Sequence, residues 1–261
     1  MKKNNDVGIF LVMDKQGDKI YRNLREESDG YTQEKYFSGE FDALNYVWHE
    51  NFDFNDVFES IGCDYERMGC FIKEGDVVLD IGANLGVFER RARFRGASRV
   101  ICFEPVTPTY ECLVENVENK YDTFNIGISG KTSFLDFELH SDYSQVGGGS
   151  ASNYEQNQGR NIIHTQKNLC LGINDLFEKG LFERADFMKV DIEGGEVDLL
   201  TSIKDEHLSS LRCLACEFHN IFPDFDSFQD NFIARCHRLG FKTFILFHGD
   251  GNLRTLNVWK E

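Results

Sequence analysis

From Asp76 onward, five short apolar runs punctuate the chain: Val77–Ile81, Arg99–Phe103, Thr123–Ile128, Asp186–Val190 and Cys213–Phe218. Amphipathic stretches at 86–95, 107–119, 195–204 and 224–239 lie between or after them. Short apolar strands separated by helical segments bury all their apolar surface as a parallel sheet with helices on both faces. The spacing therefore predicts an α/β domain over 73–261, with a hydrophobic share of 41 % and 24 Phe to fill its core. The chain closes with Phe241–Phe247, the turn-rich His248-Gly-Asp-Gly-Asn252 and Thr255–Trp259, which read as an antiparallel hairpin added to that sheet. Residues 1–72 differ: they are acidic, rich in Tyr, Phe and Asn, with a short strand at Val7–Met13 and a weak helical pattern at Phe52, Val57, Phe58 and Ile61. They are expected to form a small N-terminal extension of hairpin and helices, placed to act as a substrate lid. The polar stretch Ser141–Gln166, with Gly147-Gly148-Gly149 inside it, reads as a long loop of the functional kind.

Charge narrows the class of partner. With 28 Lys+Arg against 44 Asp+Glu the net charge is −16, which repels nucleic acid and anionic membrane alike. No segment reaches the ~20 apolar residues of a membrane span, and Asp6 with no small-residue cleavage site argues against a leader at Val7–Met13. The eight cysteines are scattered, as expected of core thiols in a reducing cytoplasm. Cys213 and Cys216 look like a CxxC, but three residues apart on a strand their side chains face opposite sides. They are expected to be free.

The strongest local signal is Val77-Val-Leu-Asp80-Ile-Gly82-Ala-Asn84-Leu-Gly86, a strand running through a glycine turn into a helix. Gly82 and Gly86 permit close approach of a ligand, and the helix start offers free N–H groups. A dinucleotide fingerprint would be G-x-G-x-x-G; here an acid, Asp80, precedes the first glycine and would repel a pyrophosphate. The ammonium and sulfonium of S-adenosylmethionine suit it better. The second strand ends in Phe103-Glu104-Pro105, and a carboxylate there can accept hydrogen bonds from both ribose hydroxyls of an adenosine.

Two acid-bearing strand ends complete the picture. Met188-Lys189-Val190-Asp191-Ile192-Glu193-Gly194-Gly195-Glu196 places Asp191 and Glu193 on one face if the strand persists, with Glu196 capping the next helix. Cys216-Glu217-Phe218-His219 places Glu217 and His219 on one face likewise. Ligands bind beyond the carboxyl ends of such strands, so these four side chains are expected to converge on one crevice. Arg90, Arg91, Arg93, Arg95 and Arg99 crowd together in this acidic chain. They read as the solvated face of the first helix, or else as a dock for an anionic sugar or phosphate.

In this order, DIGANLG, FEP, KVDIEGGE and the E-x-H strand resemble the FkbM family of S-adenosylmethionine-dependent methyltransferases over about residues 73–247. The resemblance implies a Rossmann-like class I methyltransferase sheet and methyl transfer to a hydroxyl of a saccharide or secondary metabolite. By it, Asp80, Gly82, Asn84, Gly86 and Glu104 bind the cofactor, with Asp191 beside them. Asp191, Glu193, Glu217 and His219 then lie near the transferred methyl. A sugar hydroxyl is a poor nucleophile, so a base is required, and His219 with its reference pKa of ~6.5 is the leading candidate, ahead of Asp191 and Glu217. The rival is Mg²⁺ on Asp191, Glu193 and Glu217. Three other functions compete: a nicotinamide-dependent oxidoreductase, a non-catalytic methyltransferase-like subunit, and an RNA ribose 2′-O-methyltransferase, to which Lys189, Asp191 and Glu217 give a partial match.

Overall fold

The computed structural model describes residues 64–117, 120–140, 162–219, 224–248 and 253–261. The expectations for Val7–Met13, Phe52–Ile61 and 141–161 lie outside these residues.

The predicted sheet is present. Strands β1 (Val77–Ile81), β2 (Arg99–Phe103), β3 (Thr123–Phe124), β7 (Phe187–Val190) and β8 (Cys213–Phe218) run parallel, and β9 (Lys242–His248) and β10 (Leu253–Trp259) close the far edge. The order is β3-β2-β1-β7-β8-β10-β9, with β10 antiparallel to both β8 and β9. The strand order reverses at β1, with β2 on one side and β7 on the other, and the carboxyl ends at such a point are where sheets of this kind bind ligands. Helices α1 (Val87–Phe94), α2 (Thr107–Asn116), α3 (Ile173–Glu178), α4 (Glu196–Ser202), α5 (Asp205–Ser210) and α6 (Phe225–Arg238) complete the layers. Among the described residues no helix is long and apolar enough to cross a membrane.

Two expectations need correction. The run Thr123–Ile128 is not one strand: Thr123–Phe124 edges the main sheet, and Gly127–Ser129 (β4) belongs to a second, three-stranded sheet. That sheet pairs β4 with β6 (Ile162–Gly172), and β6 with β5 (Ser133–His140) antiparallel. Thus 162–166, expected in a loop, are strand. Strand β5 alternates apolar and polar residues from Leu135 to His140, with Phe137 buried; only Phe134, exposed and paired with Leu169, departs from the pattern.

Period-two alternation sorts the strand residues into two cores. Leu79, Ile81, Met188, Val190, Leu214, Cys216 and Phe218 face one layer with Leu199, Phe225 and Phe232. Val78, Phe187, Cys213 and Ala215 face the other with Phe88, Tyr65 and Ile72. Cys213 and Cys216 therefore point to opposite layers, as their spacing requires. Residues 64–72, the described end of the expected extension, pack into this second core, where Tyr65, Cys70 and Ile72 are buried. Asn257 of β10 clamps that segment, donating to the Asp64 carbonyl at 2.8 Å and accepting from the Arg67 N–H at 3.2 Å.

The arginine cluster is neither a solvated face nor a free dock. Arg91 is 1 % exposed, and its guanidinium bonds Glu66, with Nε to Oε2 at 2.5 Å. Arg95 approaches the other oxygen of Glu66 at 3.3 Å, which also accepts from the Ile72 N–H at 2.9 Å. Arg93 bonds Glu89, and Arg99 grips Asp122 through two nitrogens. Each charge is answered locally, because a helix packed on a sheet cannot leave guanidinium groups dry and unpaired. Arg91→Ala strands Glu66 in the core and is expected to cost about 3–5 kcal/mol of unfolding free energy in urea titration. A loss under about 1 kcal/mol contradicts a buried pair.

Candidate active site

The glycine turn is built from the end of β1. The N–H groups of Gly82 and Ala83 both donate to the Phe103 carbonyl at 3.0 Å, tying the turn to β2. Gly82 has φ 80°, and a Cβ there would overlap the carbonyl oxygen of Asp191. The turn thus lies directly against the end of β7, with no room for any other residue. Asn84 follows in the left-handed region at φ 49°, which Asn tolerates, and Gly86 at φ 84° starts α1.

Glu104 closes this turn from β2. Its Oε2 accepts from the Asn84 N–H at 3.0 Å and its Oε1 from the Val106 N–H at 2.8 Å. Each oxygen keeps a further lone pair. Burial pushes the carboxyl up to about 7, against the pull of those two N–H groups. Asn84 Oδ1 is buried with no hydrogen-bond partner among the described residues. A carboxylate with spare acceptor capacity and an orphaned amide oxygen suit the ribose and methionine ends of S-adenosylmethionine.

Asp80 occupies a different place from the other predicted cofactor residues. It is 0 % exposed, one layer below the turn, and its cross-strand partner in register is Lys189. The Lys189 ammonium donates to the Gly82 carbonyl at 2.6 Å and lies 3.5 Å from Asp80 and 3.3 Å from Asp191. Burial raises Asp80 against the pull of Lys189. Burial works to neutralise the lysine, but Asp191 and Asp80 hold it above the ordinary lysine value. Asp80 therefore bears on a ligand through Lys189 and the backbone of the turn.

The four convergent residues do meet, by a different route from the one expected. Strand β7 ends at Val190, and Glu193 sits in a turn at φ 56°, so Asp191 and Glu193 are brought together by chain reversal. His219 lies just past β8. Its Nε2 is 3.4 Å from Glu217, 3.6 Å from Glu193 and 3.8 Å from Asp191. Its Nδ1 is 3.3 Å from Glu196 Oε1. Glu196 opens α4 as expected, accepting from the Gly194 N–H at 2.9 Å, and it is also the residue that orients the imidazole.

With carboxylate oxygens at both ring nitrogens, the imidazolium is favoured over neutral imidazole. Burial lowers the His219 pKa, but Glu193, Glu196 and Glu217 hold it well above 6.5. Enclosure, reinforced by Asp191, Glu217 and Glu196, pushes Glu193 up to about 8 despite His219. Against its burial, Lys189 and His219 hold Asp191 below the usual carboxylate range. The ordinary histidine value used in reading the sequence thus does not apply here.

Sequence reasoning missed Tyr65. Its hydroxyl lies 2.5 Å from Glu217 Oε2 and 3.0 Å from Asp191 Oδ2, and its ring lies under Lys189, 5.4 Å from the ammonium. No local signal could find it, because its partners are 126 and 152 residues away along the chain.

These shifts set the sign of the pH dependence. Glu104 at about 7 and Glu193 at about 8 bind protons more tightly in the folded chain than at the ordinary 4.5. Their contribution is fully present only below the ordinary 4.5 and is lost as pH rises from there through those values. Without ligand, Tm is expected to fall from about pH 5 to about pH 8, by roughly 2–4 °C per kcal/mol lost. Glu193→Gln should flatten the slope in a thermal scan; a wild-type Tm that climbs over this range contradicts the assignment.

The family model "Methyltransferase FkbM domain" matches residues 80–243. The AMB antimetabolite synthetase AmbE of Pseudomonas aeruginosa is 26 % identical over 199 residues, 63 % of this chain, and the chain spans 9 % of that protein's length. Among solved structures, methyltransferase FkbM from Methylobacillus flagellatus is similar at 14 % identity and a TM-score of 0.47, over 72 % of this chain and 44 % of that one. Fibrillarin from Aeropyrum pernix, in complex with natively bound S-adenosyl-L-methionine, is similar at 13 % identity and a TM-score of 0.39, over 72 % and 67 %. By that 164-residue match, more than half of its length, the chain belongs to the FkbM methyltransferase family.

Proposed function

We propose that this chain transfers a methyl group from S-adenosylmethionine to a hydroxyl of a saccharide or secondary-metabolite acceptor, with His219 as the general base. One observation carries the reading: His219, oriented by Glu196, faces Asp191, whose carbonyl abuts the glycine turn at Gly82. Cofactor turn and proton-accepting group thus share one crevice. Bound there, S-adenosylmethionine supplies an electrophilic methyl. The turn from Gly82 to Gly86 would meet it with backbone groups and the free Asn84 Oδ1, Glu104 would accept from its ribose, and Asp191 would lie on the side of the acceptor.

The protein's own part is alignment and proton removal. Glu196 fixes the ring so that Nε2 points into the crevice. A neutral imidazole accepts the acceptor proton at Nε2, and the surrounding carboxylates stabilise the imidazolium that forms. The arrival of a cationic ligand beside Asp191 favours that neutral starting form by drawing off carboxylate charge.

A metal reading also has an observation behind it. Ligand atoms of Asp191, Glu193 and His219 all lie within 4.8 Å of one another. This is not the oxygen set expected from the sequence, since Glu217 Oε2 is taken by Tyr65. An imidazole donor suits a transition metal better than Mg²⁺.

Glu104→Ala should weaken binding of S-adenosylmethionine at least tenfold in calorimetry, through the loss of about 1.5–3 kcal/mol per bond to a charged acceptor. In transfer of labelled methyl to a saccharide and metabolite panel, His219→Ala should lower the rate by ~10²–10⁴. The rate should rise with pH along a limb above the ordinary histidine value, absent from that variant. Full activity of His219→Ala would remove the base assignment; loss of activity in EDTA, restored by a divalent metal, would favour the metal reading instead.

A further inference from the structure

Tyr65 lies outside the segment 80–243 that the family model matches, yet its hydroxyl lies between two acids of the crevice. It carries one proton and faces two carboxylate oxygens, so it can donate to only one of them at a time. The shorter contact, 2.5 Å, is to Glu217 Oε2. Asp191 Oδ2, at 3.0 Å, has the Lys189 ammonium at 3.3 Å as a second partner. The division is then clear: Tyr65 donates to Glu217, and Lys189 serves Asp191.

This contact fixes which oxygen of Glu217 faces the crevice. With Oε2 held by Tyr65, Oε1 is turned to His219 Nε2 at 3.4 Å. The phenol itself has little freedom. Its ring packs edge-on against Phe88 at 5.6 Å, the next residue is locked by Arg91, and Asn257 brackets the backbone on both sides. Burial and the charges of Asp191 and Glu217 raise its pKa well above 10, so it remains a donor throughout the working range.

We infer that Tyr65 is a positioning residue of the methyl-transfer site, acting through Glu217 to hold a carboxylate oxygen toward the locus of the transferred methyl. This rests on the reading of the crevice as a methyltransferase site. The groups that face it are Asp80 on β1, Lys189 on β7, Asp191 and Glu193 after it, Glu196 on α4, and Glu217 and His219 on and beyond β8.

The test needs no acceptor. S-adenosylhomocysteine lacks the methyl, whereas sinefungin carries a protonated amine in its place, so their affinity ratio reports the carboxylates at that point. The wild-type chain should bind both. Tyr65→Phe keeps the ring packing and should leave S-adenosylhomocysteine affinity within about twofold, while sinefungin loses roughly three- to tenfold, the worth of one hydrogen bond. Glu217→Gln should produce a similar loss, and Tyr65→Phe added to it should lose no more. An unchanged ratio in Tyr65→Phe overturns the inference. So does an equal loss of both ligands with a lowered Tm, which would make the tyrosine merely structural, or full additivity with Glu217→Gln. If the wild-type chain binds neither compound, the cofactor reading itself falls, and the inference with it.

Discussion

The Lys189 ammonium is the contact on which the rest of the site depends. It is the point where β1 and β7 meet chemically as well as through their backbone ladder. Its three contacts, to the Gly82 carbonyl, Asp80 and Asp191, join the glycine turn to the acid that follows β7. A lysine this deep keeps its charge because Asp191 and Asp80 stand against it, and it pulls both carboxyls toward the ionised form in turn. Asp80 therefore matters although no ligand can touch it: it holds the cation that holds the turn.

Strand alternation explains why the charges gather on one face. Asp80, Lys189 and Ala215 stand abreast in register, and Glu217 lies two residues beyond Ala215 on the same side of the sheet. That side is covered by Phe88, Tyr65 and the arginine-pinned segment before β1, while the opposite side of β1, β7 and β8 carries apolar residues into the larger core. The polar line is thus enclosed under aromatic rings except at its carboxyl end, where Asp191, Glu193 and His219 are partly exposed. Water is excluded from the interior of the cluster and retained at its mouth. Such an arrangement couples the charges strongly, and one added cation redistributes protons across several of them.

Much of this was legible in the sequence. The apolar runs located β1, β2 and β8 to the residue, because fully buried parallel strands leave little ambiguity about where they begin and end. The turn at Gly82 and the acid at Glu104 were readable from their type and order. What could not be read depends on long-range contact. The arginines of α1 look like a surface stripe until Glu66 is seen beneath them. Tyr65 is an ordinary aromatic in an uninformative stretch. The second sheet depends on the pairing of Ser133–His140 with Ile162–Gly172 across a polar stretch, which the pattern within either segment does not announce. The convergence of Asp191, Glu193, Glu217 and His219 was readable, but the contact of Glu196 with the imidazole was not, because Glu196 read only as a helix cap.

The account rests on the glycine turn and the carboxylate–imidazole cluster forming a single site. A crystal structure of the chain with S-adenosylhomocysteine tests that most directly. The expected result places both ribose hydroxyls on Glu104, the methionine end against Gly82 and Gly86, and the sulfur facing Asp191 and His219. A ligand bound elsewhere, or one whose sulfur points away from His219, would contradict it.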